Sequence, residues 1–319
     1  MPALLVHYSF ALDAIPEEDK PYATLVNLAS QGPDTFMAYG SLPWRKRSDT
    51  KDISGYGHMM HRIDIGPTYL KMMEYADNSE HKEFLYAFID GLLMHYCVDR
   101  ILHAYIFYRS GVDEKGQLTG YYSWSHGYFE AILDKTYAKR IGTYTYLPNA
   151  IKTDENWVKE TSKMWAFAAS NYLNEDSYLN AYLDFVGAEK MLWNPLGLRH
   201  PLFYLIGKYK TSNAQSHPFF MKRFEAMDVT NDKKRSWRNP ATGEEHNESI
   251  DEMLALAKKD FEYIHSLIEK RKNGWDIEKE FLAFTSVLCH EGHPIGMKKH
   301  IYSLCWEEVG NKKYLPPKK

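Results

Sequence analysis

The sequence predicts an all-α fold built as a multi-helix bundle. Apolar residues recur at steps of three or four through several long runs, a spacing that places them on one face of a helix. Few runs alternate apolar and polar residues for long, so strands are expected to be scarce. The chain has 319 residues, of which 44% are hydrophobic and 25% charged, and this composition supplies enough apolar side chains for a buried core.

The longest helix is expected over residues 83–108, where apolar side chains recur with helical spacing. Gly111 is expected to end it, and the residues that follow favour a loop. Ser249 precedes another periodic run and is expected to cap it. Further helices are predicted within residues 56–73, 128–138, 154–173 and 249–270.

Charge, cysteine content and hydropathy argue against several classes of protein. The formal net charge is −3, so no broad basic field attracts nucleic acid. Three cysteines are too few, and odd in number, for a disulfide framework. No run of 18 apolar residues predicts a transmembrane segment, and the first residues lack the pattern of a signal peptide, so we expect a cytoplasmic protein.

The strongest chemical signal is the spacing His95-x3-Asp99-x3-His103. Residues four apart lie on one face of a helix, so the three side chains share one stripe. Their Cα atoms span about 12 Å along the axis, at roughly 1.5 Å per residue. Zinc–nitrogen and zinc–oxygen bonds are about 2 Å long, so the row is too long to grip one ion and suits two neighbouring ions, with Asp99 between them.

Other imidazole and carboxylate side chains in the first 130 residues complete a candidate ligand set. His126-x3-Glu130 places a histidine and a carboxylate one helical turn apart. Asp34, His61 and His7 are further candidates. This mixture of nitrogen and oxygen ligands suits zinc, and iron or manganese would also accept it.

A buried structural role is the competing interpretation. A histidine on an apolar helix face is often a core residue whose ring is hydrogen-bonded. Asp99 favours a metal, because a carboxylate between two histidines is costly to bury unless it is paired or metal-bound. An ordinary ion pair of Asp99 with Arg100 or Arg62 stays open at this stage.

Six short stretches follow one another in a familiar order over roughly the first 135 residues. They are Met1-Pro2 with His7, Gln31-Gly32-Pro33-Asp34, Met60-His61-Arg62, the run from His95 to His103, the run from Tyr105 to Gly111, and His126-x3-Glu130. Together they resemble the zinc-dependent phospholipase C family, in particular its bacterial branch without signal peptides. The resemblance implies an α-helical phospholipase C-like bundle around a multinuclear metal site.

The resemblance also implies how the ligands are shared. The implied sets are Asp34, His61, His95 and Asp99 for one Zn²⁺ ion, His103, His126 and Glu130 for a second, and His7 with Asp99 for a third position. Secreted members complete the third position with a tryptophan freed by cleavage, and no cleavage signal is present here. Two zinc ions are therefore expected, with a less complete third position. The step from Asp99 to His103 is also shorter than in the secreted enzymes.

The function expected from this resemblance is hydrolysis of phosphodiesters, with Asp34 as the candidate catalytic residue that orients or deprotonates a water. The substrate would be a small phosphate ester or a phospholipid, and the sequence does not choose between them or predict partner proteins. We expect a single domain over residues 1–319, with a metal-site core over 1–145 and a C-terminal helical extension from about residue 210.

Three other classes of protein are compared with this pattern of residues. A non-catalytic, metal-stabilised binding or structural protein is the main alternative. A phosphohydrolase of the HD type needs an adjacent His-Asp pair, which the sequence lacks. A ferritin-like di-iron protein needs two Glu-x-x-His motifs, and Glu262-x-x-His265 is the one candidate.

Two other segments attract attention. Cys289-His290-Glu291-Gly292-His293 looks like a metal-binding fragment, but we expect a helix C-terminus stopped by Gly292 and Pro294. The cationic tract Trp44-Arg45-Lys46-Arg47 favours a solvated loop, with a phosphate anchor as the alternative.

Overall fold

A computed structural model describes residues 4–42, 44, 52–113, 115–118, 121–142, 147–192 and 228–297. These residues are predominantly helical, which confirms the all-α prediction at that level. The α-helices are α1 Leu4–Ala14, α2 Ala23–Ala29, α3 Asp34–Met37, α4 Ile53–Met60, α5 Gly66–Asp77, α6 Lys82–Ser110, α7 Tyr121–Ile141, α8 Leu147–Ala150, α9 Glu155–Ala168, α10 Ser177–Leu192, α11 Ile250–Lys272 and α12 Glu278–Thr285, with a 3₁₀ helix at Glu17–Tyr22.

The described strands form one short antiparallel hairpin, β1 Trp237–Arg238 and β2 Glu245–His246. Trp237 lies opposite His246, and the two rings stack with their centroids 4.4 Å apart. Residues 45–47 of the cationic tract and residues 210–227, at the start of the predicted C-terminal extension, lie outside the described residues. Within the described part of the chain, no helix is long and apolar enough to cross a membrane.

Helix α6 lies at the centre of the fold, and nearly every side chain along it is buried. Helices α1, α2, α5, α7 and α11 pack around it. Gly91 allows α2 to cross closely, since a β-carbon there would lie 2.8 Å from the Val26 carbonyl oxygen and would also collide with Ala29. This close crossing brings the turn that follows α2 against the middle of α6.

A break between α4 and α5 places His61. Helix α4 ends at Met60, and α5 begins at Gly66 with Pro67 in its first turn, where proline fits because the first N–H groups need no helical partner. His61 occupies the C-terminal cap of α4. Its ring contacts the last turn of α4 through Nδ1 and turns Nε2 inward toward α6.

The C-terminal helices contact the N-terminal half directly. Helix α11 packs along α6, and α12 packs against α5. Helix α12 ends at Thr285, so the segment from Cys289 to His293 is not the helix end that the sequence predicts. Gly292 has φ +70°, and the segment forms turns pressed onto α6.

Ser249 caps α11, as predicted. Its hydroxyl accepts from the N–H of Glu252, whose side chain accepts from the N–H of Ser249. We expect Ser249→Ala to lower the free energy of unfolding by about 1 kcal/mol in urea denaturation. Ser266→Ala, at an exposed position of the same helix, is the control and should change it by less than about 0.5 kcal/mol. Equal losses would contradict the capping role.

Candidate metal centre

The central helix α6 presents His95, Asp99 and His103 on one buried face, as their spacing predicts. Their exposed fractions are 0%, 3% and 5%. Arg100, a possible ion-pair partner of Asp99 in the sequence, instead lies 3.6 Å from the Asp260 carboxylate and over the ring of Phe284. Arg100 therefore pairs with Asp260, and the Asp99 carboxylate contacts the surrounding histidines instead.

One group of ligand atoms comes from three separate segments. Asp34 begins α3, His61 follows α4 and His95 lies on α6. The distance from His61 Nε2 to Asp34 Oδ1 is 3.1 Å. One ligand atom from each of the three residues falls within 4.8 Å of the others, which is close enough for all three to contact a single ion.

Asp99 adjoins this group and also contacts the N-terminal helix. Its Oδ2 lies 3.0 Å from His95 Nε2 and 3.7 Å from His61 Nε2. Its Oδ1 lies 3.1 Å from Nε2 of His7, which α1 carries. The two carboxylate oxygens therefore face two different sets of histidines, an arrangement suited to a bridging ligand.

A second group lies between α6 and α7. His103 Nε2 is 3.3 Å from Glu130 Oε1, and His126 Nε2 is 3.1 Å from the same oxygen. The rings of His103 and His126 stack with an interplanar angle of 5°. His103, His126 and Glu130 thus form a compact three-ligand group.

The two groups meet at the His103 ring. Asp99 Oδ1 lies 3.5 Å from Nδ1 of His103, whereas Nε2 of that ring faces Glu130. The Asp99 carboxylate therefore links His7, which faces Oδ1, directly to His61 and His95, which face Oδ2. It reaches the second group through the imidazole of His103, not by facing the second ligand set itself.

Backbone carbonyl groups fix the tautomers of three rings. Nδ1–H of His61 donates to the Gly57 carbonyl at 2.8 Å, and Nδ1–H of His95 donates to the Ser30 carbonyl at 3.1 Å. Nδ1–H of His103 donates to the His290 carbonyl at 2.8 Å. In the neutral form of each ring, the lone pair of Nε2 is then available to a ligand, the outer-shell arrangement typical of metal-binding histidines.

Several buried polar atoms at this place have no hydrogen-bond partners other than one another. Buried polar groups are almost always paired, because an unpaired group costs about 1–3 kcal/mol. In the first group, Asp34 Oδ2 has no hydrogen-bond partner, and Asp34 Oδ1, His61 Nε2, His95 Nε2 and Asp99 Oδ2 have one another as partners, in histidine–carboxylate pairs at 3.0–3.7 Å. Nitrogen and oxygen atoms that face one another around one point fit a divalent ion such as zinc.

The charges of Asp99, His103 and Glu130 are set by close contacts. Burial opposes ionisation of Asp99 and Glu130, but neighbouring histidines hold the pKa of both carboxyls below their usual range. Burial also opposes protonation of His103, yet Asp99 and Glu130 raise its pKa to about 10. Without metal, the His103 proton offsets part of the buried negative charge, and a bound cation would take its place.

The segment Cys289–His293 belongs to this site, which the sequence interpretation missed. His290 is fully buried, its ring lies 5.2 Å from that of His61 and 5.4 Å from that of His95, and neither ring nitrogen has a hydrogen-bond partner. The N–H of Glu291 donates to the His61 carbonyl at 3.2 Å. The signal available in the sequence was the close spacing of cysteine, histidine and glutamate between residues 289 and 293, all side chains that can bind metal.

A cleft of about 260 Å³ opens onto both ligand groups. Ligands on its wall are Asp34, His61, His103, His126 and Glu130. Other residues on its wall include His58, Arg62, Phe107 and Glu291. His7, His95 and Asp99 are not among its lining residues and lie behind this wall, so the site has an inner, closed side and an outer side that a small molecule can reach.

A further carboxylate and histidine group lies elsewhere, at Glu18, His265 and Glu269. Its members are half-buried or exposed, and Glu262 of the Glu-x-x-His motif is exposed and not one of them. His265 Nδ1 lies 3.1 Å from the buried Asp90 carboxylate, which explains that ring as a partner for a buried charge. The described residues therefore give no support to a ferritin-like site.

Gly32 connects the turn before α3 to His95. It has φ +55°, and an added β-carbon would overlap the His95 ring. We expect Gly32→Ala to displace that ring and to remove most of the metal held with Asp34 and His61, while far-ultraviolet circular dichroism stays helical. Gly274→Ala, at φ +85° with open space around it, controls for backbone strain alone. Full metal content in Gly32→Ala would contradict the packing account.

Comparison with family models, curated proteins and solved structures returned no match to this chain.

Proposed function

We propose that this protein is a zinc-dependent phosphodiester hydrolase with a phospholipase C-like bundle. The observation that supports the proposal is the convergence of eight imidazole and carboxylate side chains, most of them buried and facing one another, beside a cleft. The order and spacing of these residues along the chain resemble the zinc-dependent phospholipase C family. Neither the fit of the ligands nor the cleft depends on that resemblance.

Bound at these ligands, zinc would supply a Lewis acid and lower the pKa of a coordinated water toward neutrality. The protein contributes position and charge. Asp34 lines the cleft, its Oδ1 faces His61 and its Oδ2 has no hydrogen-bond partner, so one oxygen can hold an ion while the other accepts a proton from a water. His103, His126 and Glu130 face the same cleft and are suited to holding a second ion near the phosphoryl oxygens.

The main alternative is a non-catalytic protein that binds metal for stability. A structural zinc site is usually closed by four protein ligands, whereas a catalytic site keeps an open position. The second group offers three ligands and lines the cleft, which favours the catalytic alternative.

Turnover of bis(4-nitrophenyl) phosphate by the zinc-loaded protein tests the proposal. We expect release of nitrophenol that is lost with chelator and regained with zinc, and a loss of at least about tenfold in His126→Ala, since a ligand is removed. Gly274→Ala serves as a control with an exposed change. A protein that holds two zinc ions but hydrolyses no phosphodiester would favour the non-catalytic alternative.

A further inference from the structure

A single arginine stands at the mouth of the cleft among the described lining residues. Arg62 follows His61 directly, so one turn carries both a metal-ligand candidate and a guanidinium. Its side chain is 63% exposed, and both Arg62 and Glu291 line the cleft. The guanidinium of Arg62 therefore lies next to the expected position of the metal ions and faces a ligand that enters the cleft from solvent.

A chain of contacts from the C-terminal loop holds this arginine in place. Arg62 Nε donates to Glu291 Oε1 at 2.9 Å. Glu291 Oε2 lies 3.1 Å from His293 Nε2, and that ring also lies 3.4 Å from the Cys289 sulfur. The side chain of Glu291 is only 15% exposed, so the carboxylate is a fixed anchor and not a mobile surface group.

The backbone of the same loop is fixed against the metal centre. Gly292 lies so close to α6 that a β-carbon would come 3.0 Å from the Arg100 carbonyl and 3.1 Å from the Ala104 nitrogen. The Glu291 N–H donates to the His61 carbonyl. The anchor of Arg62 is therefore tied to α6 and to the turn that carries His61.

This arrangement leaves a specific edge of the guanidinium for a ligand. Arginine has five N–H donors in a planar fork, and a contact at Nε uses one of them. The two terminal nitrogens remain for the paired oxygens of a phosphate, which arginine binds in bidentate fashion. Lysine could not reproduce this, because it would lose both the Nε contact and the fork.

We propose that Arg62 is the phosphate-recognition residue of this site and that Glu291 is the positioning residue that aims it. The proposal rests on the proposed function for the identity of the anion, a phosphoryl group of a small ester or of a lipid headgroup. A cleft of about 260 Å³ is large enough for the phosphoryl group with a short alcohol portion.

Three variants of the full-length, zinc-loaded protein test this, with inorganic phosphate as the calorimetric ligand. Arg62→Gln should weaken phosphate binding by roughly tenfold or more and raise KM for bis(4-nitrophenyl) phosphate more than it lowers kcat. Glu291→Gln should give a smaller loss of the same kind. Arg238→Gln, an exposed arginine paired with Glu245 at 2.7 Å outside the cleft lining, should match the unmodified protein.

Zinc content is measured in every variant and should stay unchanged, which separates recognition from metal loss. Unchanged phosphate affinity in Arg62→Gln would overturn the proposal, whether or not hydrolysis occurs. Phosphate binding that depends on Arg62 in a protein without turnover would support it and count against the proposed hydrolase.

Comparing a soluble diester with a monomeric short-chain phospholipid separates the two sources of the phosphoryl group, and dependence on Arg62 is expected for whichever is hydrolysed.

Discussion

Asp99→Asn is expected to lose more metal and more phosphodiesterase activity than any other single ligand substitution. Asp99 contacts His7 with one oxygen and His95 with the other, at 3.1 and 3.0 Å. The amide keeps the size but removes the buried negative charge and one of the two acceptor oxygens. We expect metal affinity to fall by at least about 100-fold, above the usual range for an outer-shell partner.

His126→Ala is the comparison for Asp99→Asn. It removes one ligand from the group with His103 and Glu130 and leaves the His7, His61 and His95 side intact. We expect His126→Ala to retain about one ion per chain and Asp99→Asn to retain less. Metal content and circular dichroism should be measured together, since the loss of metal is expected before any loss of helix. Full metal content and activity in Asp99→Asn would contradict the bridging role.

Removing the metal is expected to destabilise the fold strongly. Ligand binding at about 1,000 times the dissociation constant stabilises a protein by about 4 kcal/mol. At about 2.1 cal/mol/K of unfolding entropy per residue, that corresponds for 319 residues to a melting temperature lower by roughly 6 °C in the chelated protein. The physical reason is that Asp34, Asp99 and Glu130 would stay buried without a compensating cation.

Calorimetric melting of chelated and zinc-restored protein measures this effect. Zinc should restore the melting temperature, while magnesium should not, because it prefers oxygen ligands in an octahedral arrangement. Equal melting temperatures with and without chelator would mean that the histidine–carboxylate pairs alone hold this region together.

The sequence was informative wherever spacing along one helix decides geometry. A separation of four residues places His95, Asp99 and His103 on one face of any helix, whatever packs around it. The same reasoning applies to His126 and Glu130. His7, Asp34 and His61 come from other segments, and only their resemblance to a family pattern grouped them with α6.

What the sequence could not supply depends on contacts between distant segments. His290 and Glu291 lie more than 150 residues beyond the candidate ligands and reach the site because Gly292 permits close contact with α6. The orientation of the His103 ring also depends on a contact with a distant segment. Its Nδ1–H is committed to the His290 carbonyl, so the link from Asp99 to the second group differs from a simple row of ligands.

Elemental analysis of protein purified without chelator is the most direct test of the metal centre. We expect close to two zinc ions per chain, because the candidate ligands form two groups. The first group is Asp34, His61 and His95 with Asp99, and the second group is His103, His126 and Glu130. Substitution of Asp34, His61 or His95, or of a ligand in the second group, should lower the count by about one, and Asp99→Asn should lower it by more. A protein that contains no bound metal, and whose melting temperature does not change when zinc is added, would contradict the account.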